Sequence, residues 1–119
     1  MSSPTVLVVD DDPAIQRLIE VTFELEGFAV LLAHDGAEGI KAARAQRPDL
    51  VITDLLMPGV SGPDVVAALR GDGATEGIPI IVLSTTAQAN DLATGADDHV
   101  TKPFEPSDLV GRANVLLNR

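Results

Sequence analysis

Apolar residues fall into short, evenly spaced blocks separated by stretches of helical periodicity. The blocks Val6–Val9, Phe28–Leu32, Leu50–Thr53, Ile80–Leu83 and, more weakly, His99–Thr101 are continuous rather than alternating. That is the pattern of strands buried on both faces. The first helical segment, Ala14–Glu26, carries Ile15, Leu18, Ile19 and Thr22 on one face, with Asp12-Pro13 as cap and first turn and Gly27 as the stop. Ala37–Gln46 follows, ended by Arg47-Pro48, then Asp64–Arg70, a short Thr86–Thr94, and Asp108–Asn118 behind Pro106. Five strands alternating with five helices predict an α/β fold, a parallel sheet with helices on both faces and right-handed crossovers. Ligands of such sheets bind at the carboxyl ends of the strands, near the switch in strand order. The residues to weigh are therefore Asp10–Asp12, Asp54, Ser84-Thr85 and Lys102. Gly71-Asp72-Gly73 with Gly77 forms a loop long enough to move, and no repeat, low-complexity tract or linker interrupts the pattern.

A length of 119 residues sets the expectation of one domain over 1–119, large enough to fold without covalent staples. No cysteine is present, which removes disulfides, thiolate nucleophiles, iron–sulfur clusters and cysteine zinc sites together. Eighteen acidic against eight basic side chains give a formal charge of −10, which repels nucleic acid phosphates and anionic lipid heads. Direct nucleic acid binding by this segment and attachment to membranes are not expected. Met1-Ser2-Ser3-Pro4-Thr5 has no basic leader character, and no apolar run approaches the ~18 residues of a membrane span. The expectation is a soluble, unexported, cytoplasmic protein.

Asp10-Asp11-Asp12 directly follows an apolar strand, so at least two carboxylates reach the rim of the sheet. Asp12 before Pro13 is explained as a helix cap. One cap accounts for one aspartate, and the repulsion between Asp10 and Asp11 calls for a cation. A hard divalent ion such as Mg²⁺ takes one or two carboxylates and keeps water or phosphate oxygens in its other positions. Asp54 ends a second buried strand; alone it would open a turn, but it converges with Asp10 and Asp11. Lys102 follows the last strand and offers the cationic side chain this cluster needs. It precedes Pro103, and the bond before a proline is the type that can be cis. Ser84 ends the fourth strand with a hydroxyl able to donate to a phosphoryl oxygen, although by itself it is uninformative.

In this order the motifs resemble the receiver domains of two-component response regulators, over essentially the whole chain. The parts are Val8-Val9-Asp10-Asp11-Asp12-Pro13, Asp54-Leu55-Leu56-Met57-Pro58-Gly59 with Gly62, Ile80-Ile81-Val82-Leu83-Ser84, Gly95-Ala96 and Lys102-Pro103-Phe104. The resemblance implies a flavodoxin-like, doubly wound (βα)5 fold with a five-stranded parallel sheet in the order 2-1-3-4-5. It implies Asp54 as phosphoacceptor, and Asp11 and Asp54 as direct Mg²⁺ ligands with the Leu56 main-chain carbonyl, Asp10 acting largely through water. Mn²⁺ can substitute. Ser84 and Lys102 would grip the phosphoryl oxygens, and Ser84 with His99 would form the switch, His99 standing where such domains often carry an aromatic residue. A partly buried strand histidine is an equal reading of His99, and His34 is left as surface. Implied partners are a sensor histidine kinase or a histidine phosphotransfer protein, docking at the rim around Asp54 and the exposed side of Ile15–Val21. A homodimer on activation and an output domain in a longer chain belong to the same expectation. The activity implied is signalling, limited to Mg²⁺-dependent self-phosphorylation and slow autodephosphorylation.

Two alternatives share parts of this pattern. Haloacid-dehalogenase-like phosphotransferases also use a strand-end aspartate, Mg²⁺, a hydroxyl and a lysine. Here Ala14 stands where their motif wants Thr or Val, and Lys102 follows Asp97-Asp98 instead of preceding it. A phosphorylation-independent interaction module on the same fold is disfavoured by the presence of all five site residues. Ser84 and Gly95 are only 11 positions apart, about one helical turn short, so the fourth helix should be short or irregular. Thr85 stands where a smaller alanine is frequent, and its bulk should slow access to Asp54. Leu56 cannot hydrogen-bond an attacking water, so a phosphoryl group on Asp54 should be long-lived. Leu56→Asn is expected to speed phosphate release several-fold in a single-turnover assay; an unchanged rate would remove Leu56 from the control of that step.

Overall fold

The computed structural model describes residues 3–85 and 95–118. Five parallel strands, β1 (Thr5–Val9), β2 (Ala29–Ala33), β3 (Leu50–Asp54), β4 (Ile80–Thr85) and β5 (Asp98–Lys102), form one sheet in the order β2-β1-β3-β4-β5. The helices among the described residues are α1 (Pro13–Leu25), α2 (Gly36–Gln46), α3 (Gly62–Arg70) and α4 (Pro106–Leu116). The helix expected over Thr86–Thr94, and its expected shortness, lie outside the described residues. The strand order reverses between β1 and β3, which places their carboxyl ends side by side.

Alternate residues of each central strand enter two separate cores. Leu7, Val9, Val51, Ile80 and Val82 join Val65, Val66 and Leu69 of α3, while Val6, Val8, Leu50, Ile52, Ile81 and Leu83 join residues of α1 and α4. Burial on both faces is why the central strands read as unbroken apolar runs. Edge strand β2 has one neighbour, and its Val30, Leu31 and Leu32 are only half-buried.

The buried residues of α1 are Gln16, Ile19 and Phe23; of the expected face, Ile19 is buried, Ile15 packs half-buried on the same core and Thr22 is half-buried, while Leu18 is exposed. The Phe23 ring sets the helix rotation by packing edge-on against Phe28, with ring centroids 4.9 Å apart. Leu18, Val21 and Leu25 consequently face outward. Asp12 caps the helix as expected, its Oδ1 accepting the N–H groups of Ala14 and Ile15. Helix α3 begins two residues earlier than Asp64 because Ser61 and Asp64 form a reciprocal capping box. The Gly71–Gly77 connection is well tied. The Arg70 guanidinium donates to the carbonyls of Glu76, Ile78 and Gly95 and to Asp97 Oδ2, and the buried Thr75 hydroxyl donates to the Leu69 carbonyl.

The β3–α3 connection is squeezed between two helix starts. A Cβ at Gly62 would stand 2.4 Å from the Asp54 carbonyl oxygen and 2.8 Å from Leu55 Cα, and one at Gly36 would stand 2.3 Å from the Val60 carbonyl oxygen. Only glycine permits both approaches. Gly62→Ala is expected to cost about 1–3 kcal/mol of stability through overpacking against backbone, read as a lower melting temperature in a thermal denaturation. An unchanged transition would show room that the contacts deny.

Candidate functional site at the carboxyl edge of the sheet

Three strands deliver the charged residues. Asp10 leaves β1 and is 1% exposed. Its N–H donates to the Ala33 carbonyl at 3.1 Å, and its Oδ1 accepts the Asp12 N–H at 2.9 Å. Its Oδ2 is buried without a hydrogen-bond partner among the described residues. Asp11, next in the turn, is exposed. Asp54 is the last residue of β3, and its Oδ1 accepts the Leu55 N–H at 2.9 Å. Lys102 closes β5, followed by a cis bond to Pro103. Its Nζ reaches past β4 to lie 3.2 Å from Asp54 Oδ1 and 3.6 Å from Asp10 Oδ2.

Ser84 and Thr85 end β4 between these strands. Thr85 is in register with Lys102, and Leu83, just before Ser84, is in register with Asp54. Ser84 is buried and Thr85 exposed. The strand runs through both residues, two beyond the expected Leu83. Leu56 turns its side chain to solvent beside Asp54. His99 is half-buried on β5, and its Nε2 is buried without a hydrogen-bond partner among the described residues. His34 is exposed on the surface, as read from the sequence.

One carboxylate oxygen from each of Asp10, Asp11 and Asp54 lies within 4.8 Å of the others. Among the described residues one ammonium, that of Lys102, pairs with Asp10 and Asp54, so the mutual repulsion of the three carboxylates is only partly offset. Burial pushes the Asp10 carboxyl above its ordinary range, and neighbouring Asp54 and Asp11 add to that rise. The Asp12 N–H and Lys102 oppose it. Burial likewise raises Asp54, with Asp11 reinforcing and Lys102 and the Leu55 N–H opposing. Oxygen donors of this kind, with the buried Asp10 Oδ2 paired to Lys102 at 3.6 Å but without a hydrogen bond among the described residues, suit a hard divalent cation. The sequence pattern did not pick out Gln16, whose buried amide donates from Nε2 to the Ala33 carbonyl at 2.8 Å. The available signal was a polar residue three positions before Ile19 and seven before Phe23, on the buried stripe.

The raised Asp10 value has a definite sign for stability. Below about pH 4, the ordinary carboxylate range, the group is protonated in folded and unfolded chains alike and carries no penalty. As pH rises through the raised value, ionisation in the fold costs more than in the unfolded chain, so stability is lost. Asp10→Asn is expected to raise the melting temperature by a few degrees at pH 7 without divalent cation, with the gain vanishing toward pH 4. A lower melting temperature at pH 7 would mean that Lys102 stabilises the carboxylate by more than burial costs it.

Residues 6–114 match the family model of the response regulator receiver domain. The DNA-binding response regulator MtrA of Mycolicibacterium smegmatis is 42% identical over 118 residues, which cover 96% of this chain and 50% of MtrA. The DNA-binding dual master transcriptional regulator RpaA of Synechocystis is 39% identical over 120 residues, covering 98% of this chain and 50% of RpaA. The chain thus spans about half the length of the curated relatives it matches. Among solved structures, the chemotaxis protein CheY4 of Vibrio cholerae matches with a TM-score of 0.89 at 30% identity, covering 97% of this chain and 99% of CheY4. The receiver domain of a Pseudomonas aeruginosa sensor histidine kinase, with a magnesium ion coordinated in its active site cleft, matches at 0.92 and 27% identity, covering 99% of this chain and 100% of that one. A flavodoxin-like sheet in the order 2-1-3-4-5, an aspartate cluster faced by one lysine, and a family match over most of its length identify this chain as a member of the response regulator receiver domain family, the signalling domain of two-component systems.

Proposed function

We propose that residues 1–119 act as a single receiver domain that accepts a phosphoryl group on Asp54. The donor is a phosphohistidine of a sensor histidine kinase or histidine phosphotransfer protein. The observation that carries this reading is the asymmetric occupation of the Asp54 carboxylate. Among the described residues, its hydrogen-bond and ion-pair contacts fall on Oδ1, from the Leu55 N–H and Lys102. Oδ2 is left to attack. A bond forms between Oδ2 and phosphorus as the phosphorus–nitrogen bond of the phosphohistidine breaks, and the departing imidazole takes up a proton.

Phosphoryl transfer spreads charge over three equatorial oxygens, so positioned cations and donors carry most of the catalysis. Lys102 already holds its ammonium beside Asp54, and Ser84 places a hydroxyl donor on the adjacent strand. Asp10, Asp11 and Asp54, with the Leu56 main-chain carbonyl, would hold Mg²⁺, or Mn²⁺ in its stead, which when bound supplies positive charge against the phosphoryl oxygens. Phosphorylation adds roughly −1.5 to −2 charges. That charge draws Ser84 inward, vacating space for His99 and shifting the balance between inactive and active surfaces.

The outward stripe of α1 supports docking of the phosphohistidine partner there and at the rim. Leu18, Val21 and Leu25 are exposed large apolar residues, as is Leu56 beside Asp54. A groove of about 240 Å³ lined by Thr22, Leu25, Glu26, Ser107 and Val110 continues the stripe toward α4. The half of MtrA and of RpaA that this chain does not cover, and their character as DNA-binding regulators, support an output domain in a longer chain; a homodimer on activation belongs to the same proposal. The charge of −10 supports leaving DNA contact to such a domain rather than to this one. Among the described residues no helix is long and apolar enough to cross a membrane, which accords with a cytoplasmic protein.

The test is intact mass after incubation with a small acyl phosphate, with and without Mg²⁺. One phosphoryl group is expected on the parent only with Mg²⁺, none on Asp54→Asn, and faster uptake by Thr85→Ala. Equal addition to Asp54→Asn would move the acceptor elsewhere, and sustained turnover of the phosphate would favour a phosphotransferase. No addition to either the parent or Thr85→Ala would leave a phosphorylation-independent module on the same fold.

A further inference from the structure

Gln16 is an unusual residue to find inside α1. It lies on the stripe shared with Ile19 and Phe23, where apolar side chains pack against the sheet, and it is 3% exposed. An apolar side chain of similar size would fill that space without burying an amide, which must find a partner to avoid a desolvation cost. The partner is specific. Gln16 Nε2 donates at 2.8 Å to the carbonyl of Ala33, the last residue of β2, and the same oxygen accepts the Asp10 N–H at 3.1 Å. Asp10 and Gln16, one just beyond β1 and the other in the second turn of α1, thus converge on a single carbonyl.

The segment between them contains the acidic pair. The Asp12 N–H donates to Asp10 Oδ1, the Asp12 carbonyl accepts the Gln16 N–H at 3.0 Å, and Gln16 returns to Ala33 beside Asp10. These bonds close a short ring around Asp10, Asp11 and Asp12. With Asp10 Oδ1 committed to that ring, Oδ2 is the oxygen presented 3.6 Å from Lys102. Among the described residues, the Asp10 N–H gives this ring one hydrogen bond to β2. Gln16 adds the second tie.

We infer that Gln16 is a positioning residue for Asp10 and Asp11, fixing the start of α1 against β2 so that the two carboxylates keep the spacing a divalent cation requires. The inference rests on the proposed role of these aspartates in holding Mg²⁺. Partners that orient ligating carboxylates typically contribute 10- to 100-fold to metal affinity. Gln16→Met keeps the length and apolar bulk of the side chain and removes the amide donor. It is expected to weaken Mg²⁺ binding about tenfold. Phosphoryl uptake from a small acyl phosphate should slow at limiting Mg²⁺ and recover toward the parent rate at saturating Mg²⁺.

The experiment measures Mg²⁺ affinity by titration calorimetry on the unphosphorylated parent, on Gln16→Met and Gln16→Leu, and on Ile19→Val as a packing control on the same stripe. Weakened binding in both Gln16 variants with parental affinity in Ile19→Val is the expected result. Binding within twofold of the parent in the Gln16 variants would overturn the inference while leaving the proposed site intact, as would equal weakening in Ile19→Val. Loss of a cooperative thermal transition in both Gln16 variants would make the residue a determinant of the fold and overturn it too. A parent that binds no Mg²⁺ would sink the inference and the proposed site together.

Discussion

The site depends on the reach of one ammonium. Lys102 extends from the edge strand β5, past β4, to the two carboxylates that end β1 and β3. Taking carboxylates out of water is costly unless a partner comes with them, and here one partner serves Asp10 and Asp54 with Asp11 close by. The sheet order makes this possible: β1 and β3 are neighbours, and β5 lies two strands from β3. The balance is incomplete, and that has chemical use. The carboxylate left unneutralised is what the cluster can offer a cation, and Lys102 limits how negative the rim becomes.

Much of this was legible in the sequence because the fold obeys a simple rule. Central strands buried on both faces appear as unbroken apolar blocks, and the residue following each block stands at the rim. Asp10, Asp54, Ser84 and Lys102 could therefore be brought together from spacing alone. Edge strand β2 was displaced by one residue because Phe28, though buried against Phe23, lies before the ladder rather than in it. The face of α1 was placed only in part, with Ile15 and Ile19 on the core and Leu18 outside it, for a related reason. Periodicity weighs Leu18 and Thr22 as it weighs Ile19 and Phe23, and only the fit of the Phe23 ring against the sheet side decides the rotation. Gln16 escaped notice because amides on helices usually face water, and its burial follows from a carbonyl supplied by a strand 17 positions away.

The close approaches at Gly36 and Gly62 form a second class of information that pattern reading misses. A glycine in a sequence suggests a turn, yet neither of these has a positive φ. Each is required because another segment's backbone occupies the place of a side chain. The Asp54 carbonyl is one of the atoms so approached, which ties the end of β3 to the first turn of α3.

The two edges of the sheet are built on opposite principles. At the carboxyl edge a cation faces more carboxylate than it can neutralise. At the amino edge the Arg70 guanidinium meets three carbonyls and a carboxylate from two separate stretches of chain, Glu76–Ile78 and Gly95–Asp97, and Asp97 Oδ2 in turn accepts the Ile80 N–H. Such a fork has fixed geometry, and a lysine could not reproduce it. The connection from α3 to β4 is therefore a spacer of set length. An insertion there would strip the guanidinium of its carbonyl partners before it disturbed the apolar core, so tolerance to indels should be lowest where the glycines make the chain look most permissive.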